Sequence, residues 1–385
     1  MRNVILFDDP AVRLDLLPLT YTRPVALLRH GICTLREKWE RAIPGSYSYR
    51  TEDYLSVKYP INVVDDSTDL YIAAHIHPDA QLVGAILALK PGESLTLEGD
   101  MIASCGLPQG PAVPYAGPAP RAVRQIWDLF MDNDAALRDD FAALTAGRES
   151  QPLSDSCTLI GDPSQLFIEP GATVEGAVIN VKKGPVYIGR DAEVMEGACM
   201  RGPIALCEHA VVNMGGKIYG ATTLGPYCKV GGELNNVVMT GYSNKAHDGF
   251  LGNAVIGEWC NLGAGCTASN LKNTYGSVKL WSIGRGRFVK TGLQFCGLIM
   301  GDHSKAGINT MFNTATVVGV GVNFYSAGFP RTYIASFMQG STAGMKPVDM
   351  EAFFETASKV MARRHVELTP VDKDILIAIR ETAAV

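Results

Sequence analysis

The sequence predicts two unlike parts: a layered α/β domain, then a parallel β-helix of hexapeptide repeats that ends in a helical tail. Three observations carry this. The forty glycines concentrate after residue 160. Stepping by six from Ile188 meets Val194, Met200, Leu206, Val212, Ile218, Leu224 and Val230, apolar residues in strict register. Four positions beyond each step stand Ala192, Ala198, Ile204, Ala210, Gly216, Thr222 and Cys228, small in every case but Ile204. A helix repeats every 3.6 residues and a half-buried strand every two, so a sustained period of six fits neither. It fits a coil in which the aliphatic side chains stack inside a prism and the small residues let the chain turn its corners.

The register returns at Phe250, Ile256, Leu262 and Ala268, and again at Met300, Ala306, Phe312, Val318 and Phe324. Two breaks interrupt it, NNVVMTGYSNKAHDG and NLKNTYGSVKLWSIGRGRFVKTG. A solenoid accommodates insertions as corner loops, and such loops often carry function. Ile204, the flaw in the small column, predicts a bulged corner.

Residues 1–150 read differently. NVILF and DLYIAAHI are strand patterns, whereas CTLREKWERAI and PDAQLVGAILAL are helical ones, an alternation that predicts an α/β layered unit. LPQGPAVPYAGPAPRAV is Pro- and Gly-rich and reads as a loop. VRQIWDLFMDNDAALRDDFAALT has helical spacing and leads toward the solenoid, which is expected over 151–340. The tail, 341–385, opens with the amphipathic MEAFFETASKVMARRHVEL, and a shorter helix follows Pro370. An open solenoid core needs capping, so the tail is expected on or beside the last coil.

Composition narrows the function. The net charge of −5 argues against a nucleic-acid surface. No apolar run approaches the ~18–20 residues that span a bilayer, so no membrane partner is expected. MRNVILFDDP turns acidic after four apolar residues and is not a signal peptide. The nine cysteines are odd in number and contain no C-x-x-C pair, which points to reduced thiols in a cytoplasmic protein. Most stand where a small buried hydrophobe would.

His247 stands out because it lies at the end of the first break rather than in a ladder column, with Asp248 beside it. A lone histidine is more often structural than catalytic. Yet a neutral imidazole, with an unperturbed pKa of about 6.5, takes a proton near neutral pH. The segment that follows is closely patterned. HDGFLG, then NLGAG at Asn261–Gly265, then SNLKN and YGSVK, resembles the acetyltransferase half of the GlmU-type bifunctional UDP-N-acetylglucosamine diphosphorylase/glucosamine-1-phosphate N-acetyltransferase family. The resemblance covers roughly residues 160–340. It implies a left-handed β-helix, side-by-side homotrimers with sites between prisms, acetyl-CoA as cosubstrate and an amino sugar phosphate as acceptor. It makes His247 the general base and gives Asn261 and Asn270 contacts to the sugar or its amine. Ala264 matches a backbone amide at the acyl thioester, and Thr291 is carried to the same cosubstrate side. Lys279 is carried to the substrate side. Two family positions depart: a tyrosine is Phe250 here, and a phosphate-binding lysine is Asn235, whose missing charge Lys245 or Lys217 would replace.

The opening resembles sugar nucleotidyltransferases in a reduced form. Arg13, Pro18, Leu19, Thr20, Arg23 and Pro24 match the later part of their signature. Asp8, Asp9, Pro10, Ala11 and Val12 replace the glycine-rich loop whose backbone amides approach phosphates. The resemblance assigns nucleotide phosphates to Arg13 and Arg23, with UTP and Mg²⁺ as the implied additions; surface or salt-bridge roles for both arginines stay open. His75 and His77 are either a metal pair or alternate residues facing one side. Two alternatives to acetyl transfer also stay open: a sugar-phosphate nucleotidyltransferase whose β-helix only oligomerises it, and a non-catalytic regulatory trimer.

Overall fold

The computed structural model describes residues 2–326 and 328–383. By its contacts the chain forms two compact units. One comprises the chain up to Leu28 with Cys33–Ile126 and Pro370–Ile379, the other Arg29–Ile32 with Trp127–Thr369.

The first unit is a six-stranded sheet ordered Gly45–Arg50, Arg2–Phe7, Leu70–Ala73, Asp100–Cys105, Ser94–Leu97, Ala112–Pro114. Its first three strands are parallel, and the two inner ones bury Val4, Ile5, Leu6 and Ile72. The helix Leu35–Ala42 starts where Thr34 and Glu37 form a reciprocal capping box, which satisfies two otherwise orphaned amides. Trp39 on its inner face is fully buried, and its Nε1 donates to the Ile76 carbonyl at 2.9 Å. The Asp79 carboxylate caps the helix Ala80–Leu87 by accepting from the Gln81 and Leu82 amides. The Pro- and Gly-rich stretch is irregular apart from the short edge strand Ala112–Pro114.

By contacts the first unit's continuous stretch ends at Ile126, and the connecting helix counted within residues 1–150 joins the second unit. The helical pattern leading to the solenoid breaks at Asp132 into Asp128–Met131 and Asn133–Thr145. The reason for its allegiance is a buried amide. Asn133 donates to the Ala221 carbonyl at 2.7 Å and the Thr223 hydroxyl at 3.1 Å, and accepts from the Gly31 amide at 2.9 Å. Apolar periodicity does not reveal such bonds.

The second unit is the parallel β-helix. One face stacks nine parallel strands from Thr158–Ile160 to Tyr333–Ile334, and another runs from Thr173–Val174 to Met338–Ser341. Val194 pairs with Val212 and Val212 with Val230, so one coil takes 18 residues, or three hexapeptides. All eight aliphatic residues from Ile188 to Val230 lie in one continuous core. Burying each contributes roughly 1.5–3 kcal/mol.

Two expectations change. Ile204 marks no bulge: Ile204–Leu206 is a regular strand pairing with Val186–Ile188 and Thr222–Leu224. On that face residues two apart both point inward, so Val186 and Ile204 share a second interior column. The first break is no loop either. Its first half lies in the nine-residue strand Glu233–Gly241, it contains the short strand Asn244–Lys245, and the nine-residue strand Phe250–Glu258 that follows it pairs with Glu233–Gly241. The coil between them is short, since Val230 pairs with Lys245. The phase therefore slips by one: Leu251 pairs with Leu234 and enters the core, while Phe250 is left only partly covered. The second break does leave the prism, as the antiparallel hairpin Lys279–Ser282 and Arg287–Lys290.

One corner carries a ladder of rings. His209, Tyr227, Tyr242, Trp259 and His303 all have φ between 52° and 61°, a region that favours glycine. Their ring centroids stack 4.5, 5.2, 4.2 and 6.3 Å apart in that order. Each left-handed residue costs roughly 1–2 kcal/mol, and each ring pair returns about 0.5–1.5 kcal/mol. The tail joins the same ladder. Asp349 caps the helix Met350–Ala362, whose Phe353 ring lies 5.9 Å from His303 and 5.4 Å from Phe337. The tail thus packs beside the last coils, along one flank of the prism. The final helix, Pro370–Ala383, has 14 residues and is not shorter than the 13-residue one before it. Among the described residues no helix is long and apolar enough to cross a membrane.

Candidate active site

The His247 corner is built by a lysine where an aliphatic residue belongs. Lys245 continues the interior column of Val212 and Val230 and is almost fully buried. Its Nζ donates to the carbonyls of His247 at 2.6 Å and Gly231 at 3.3 Å. Burial lowers its pKa from the ordinary lysine value, with Cys266 and Asp248 acting against that. The charge expected to meet a substrate phosphate is therefore spent inside the prism. Lys245 clamps the backbone at His247, while the His247 and Asp248 side chains are exposed.

Register brings the expected base and the expected amide together. Asn244 pairs with Asn261, which sets His247 against Ala264 and Asp248 against Gly265. The Gly265 amide donates to the Asp248 carbonyl at 3.0 Å, closing that corner. Successive rungs lie about 4.8 Å apart. Asn261 is exposed on the face that leads into the corner. On the face leading out, Lys217, Glu233 and Phe250 form a row, with Lys217 exposed two rungs from Phe250. Asn270 stands beside that row, donating from Nδ2 to Asn253 Oδ1 at 2.7 Å. Gly252 makes room for it: a Cβ there would lie 2.6 Å from both Asn270 Nδ2 and Phe250 Cζ.

Lys279 and Thr291 stand elsewhere, on the protruding hairpin. Lys279 pairs with Lys290 at its start. The Thr291 hydroxyl donates to the Val278 carbonyl at 2.9 Å and accepts from the Leu293 amide at 3.1 Å, so it fastens the hairpin's neck. Most of the thiols are withdrawn from solvent. Seven of the nine are buried, and burial pushes Cys228, Cys260 and Cys296 up to about 12.

The residues that periodicity passed over are Lys229, Asn244 and Lys305. With Asn261 they form one outward column in four adjacent coils. The signal was present, since each directly precedes an interior position, namely Val230, Lys245, Leu262 and Ala306.

In the first unit, Arg13 is buried. Its Nη2 donates to Tyr54 Oη at 2.6 Å and the Thr20 carbonyl at 3.0 Å, and its Nη1 lies 3.3 Å from Glu52. Arg23 is buried too, with Nε and Nη2 each 3.4 Å from Thr22 Oγ1. Arg13 is thus held by Glu52, Tyr54 and Thr20 within the first unit. The Asp pair does not offer itself to Mg²⁺. Asp9 caps the helix Pro10–Asp15, and the Asp8 carboxylate accepts from Thr51 at 2.6 Å and from the Val25 amide at 2.9 Å. Among the described residues no group of three or more His, Cys, Asp or Glu gathers as metal ligands, and His75 and His77 form no such cluster. Burial lowers His75 to about 4, so it stays neutral.

Burial also raises Asp8 to about 6 from 3.8, against the opposing pull of Thr51, Val25 and Arg13. The folded chain holds this proton more tightly than the unfolded one. Its contribution is complete below pH ~4 and is lost as pH rises to about 6. Asp8→Asn should therefore gain on the wild type across that window, by roughly 2–3 kcal/mol, measured by urea unfolding at pH 4 and pH 7. A stability difference independent of pH would show that Asp8 does not titrate there.

Residues 4–149 match the sugar nucleotidyl transferase family model. A curated relative, the bifunctional sugar-1-phosphate nucleotidylyltransferase/acetyltransferase of Sulfurisphaera tokodaii, is 29% identical over 150 residues. That match covers 38% of this chain and only 37% of the relative. Among solved structures, the UDP-N-acetylglucosamine acyltransferase of Francisella novicida overlaps 60% of this chain and 75% of its own, at 9% identity and a TM-score of 0.27. The acetyltransferase domain of PglB from Neisseria gonorrhoeae, in complex with acetyl coenzyme A, overlaps 90% of this chain and 100% of its own, at 12% identity and a TM-score of 0.19. The solenoid itself is established by the strand register, not by these overlaps.

Proposed function

We propose that this chain is an acetyl-CoA-dependent N-acetyltransferase acting on an amino sugar phosphate of the glucosamine-1-phosphate class. The stacking of His247 against Ala264 on one solenoid corner supports this reading most. In the proposed reaction the sugar amine attacks the thioester carbonyl, a C–N bond forms and the C–S bond breaks. His247 takes the proton released by the amine, and CoA departs as the thiolate. The Ala264 amide serves the oxyanion that forms in between. Asn261 and Asn270, on the two faces that meet at this corner, hold the sugar. Lys245 fixes the histidine's backbone. No acyl-cysteine is needed, consistent with the buried thiols.

The test is thiol release by the full chain with acetyl-CoA across a panel of amino sugar phosphates. Release with glucosamine-1-phosphate supports the reading, and silence across the whole panel overturns it. A second activity, nucleotidyl transfer from UTP by the first domain, is favoured by the match over residues 4–149. Pyrophosphate release would reveal it.

The same reading implies a cytoplasmic homotrimer with sites completed between prisms. Light scattering should then give about three times the 41.3 kDa of one chain. A monomer at micromolar concentration would overturn the trimer.

A further inference from the structure

The outward column of the solenoid faces a cleft of about 490 Å³, closed on its other side by the C-terminal helix of the same unit. Lys229, Lys305, Arg363 and Arg364 line it, together with the amides of Asn244 and Asn261. No carboxylate does. The chain as a whole carries a net charge of −5, so four cationic side chains around one concavity are a local reversal of sign. Like charges brought this close destabilise the fold unless an anion joins them. Internal contacts relieve only part of this. Lys305 Nζ donates to the His303 carbonyl at 3.2 Å, and Arg364 Nη2 lies 3.5 Å from Asn244 Oδ1. Ala246 lines one end of the cleft, directly before His247. Tyr242 and Trp259 of the ring ladder line the other.

We propose that this cleft binds the phosphate monoester of a substrate, with Arg363 and Arg364 at the end of the helix Met350–Ala362 and Lys229 and Lys305 of the prism as its ligands. Guanidinium groups match phosphate oxygens with paired N–H donors, and the ammonium groups add charge. The volume suits a phosphorylated small molecule. The inference rests on the acetyl-transfer reading for the identity of the ligand, which is either the amino sugar phosphate or the 3′-phosphate of CoA. It does not rest on that reading for the chemistry. It also gives the tail a role beyond packing beside the last coils.

The test is calorimetric binding to the full chain, for wild type, Arg363→Ala/Arg364→Ala and Lys229→Ala. The probes are glucosamine-1-phosphate, glucosamine, CoA and 3′-dephospho-CoA. Both variants should lose at least ~10-fold in affinity for one phosphorylated probe, since a charge-assisted phosphate contact is worth about 1.5–3 kcal/mol. A loss confined to glucosamine-1-phosphate assigns the cleft to the sugar. A loss for CoA but not for 3′-dephospho-CoA assigns it to the cosubstrate. Because Lys229 lies on a strand of the prism and the arginines follow the end of the tail helix, a parallel loss in both variants excludes local unfolding of the tail as the cause. Unchanged affinities for every probe in both folded variants overturn the proposal. If probes bind as expected but no CoA is ever released, the cleft stands and the acetyl-transfer reading fails. If CoA is released and the variants bind like wild type, only the cleft fails.

Discussion

His247→Ala is expected to cut acetyl transfer by ~10²-fold or more, the usual range for a lost general base. The loss should fall on kcat, because in the proposed reaction the histidine acts on a proton in the transition state and not on ground-state binding. The fold should survive. The side chain is exposed, and what Lys245 binds at this position is the backbone carbonyl, which alanine keeps. Asn261→Ala, by contrast, should act mainly on KM for the sugar phosphate. Initial-rate measurement of CoA release separates the two. A folded His247→Ala protein with near wild-type kcat would move the base to Asp248, the neighbouring exposed acceptor on that corner.

Gly249→Ala should damage the same corner from within. Gly249 has φ of 119°, and a Cβ there would lie 2.0 Å from the Cys266 carbonyl oxygen of the next coil. Backbone can yield little in a stacked solenoid. The forced conformation costs roughly 1–3 kcal/mol and the overpacking about as much again. The substitution should therefore lower the unfolding free energy by about 3 kcal/mol or more, read from urea titration, and should reduce kcat as the His247 loop shifts. Gly286→Ala is the matched control. Its φ of 58° is also positive, but nothing lies within 4 Å of the new Cβ, so its cost should stay near 1 kcal/mol. Equal costs at the two sites would show that the corner is not tightly packed.

These positions also show where sequence reasoning reached and where it stopped. The coil was legible because one inward aliphatic residue per hexapeptide is a property of the chain alone. The prominence of His247 followed from its place outside that column. The inward turn of Lys245 was not legible, since a lysine in an aliphatic register looks like an interruption until the short coil puts its ammonium under two carbonyls. Phe250 was misplaced for the same reason, a slip of one residue that periodicity cannot count across. The pairing of His247 with Ala264 needed the inter-coil register, and the cationic cleft needed residues more than a hundred positions apart. Arg13 was recognised as important, but its burial among Thr20, Tyr54 and Glu52 is a tertiary fact.

The ring ladder bears on how this molecule comes apart. Coils in a solenoid contact only their neighbours, so such proteins ordinarily fray inward from their ends. Stacked rings couple the corners from His209 to His303 and make those coils open together or not at all. Toward the N-terminal end the next corner residue is Asp191, within 3.8 Å of His209 but with no ring to stack. Amide hydrogen exchange should therefore be fastest before His209 and uniformly slow beyond it, in one cooperative block. Tyr242 and Trp259 bracket His247 in the chain, which puts the His247 corner inside the part of the molecule that is last to open.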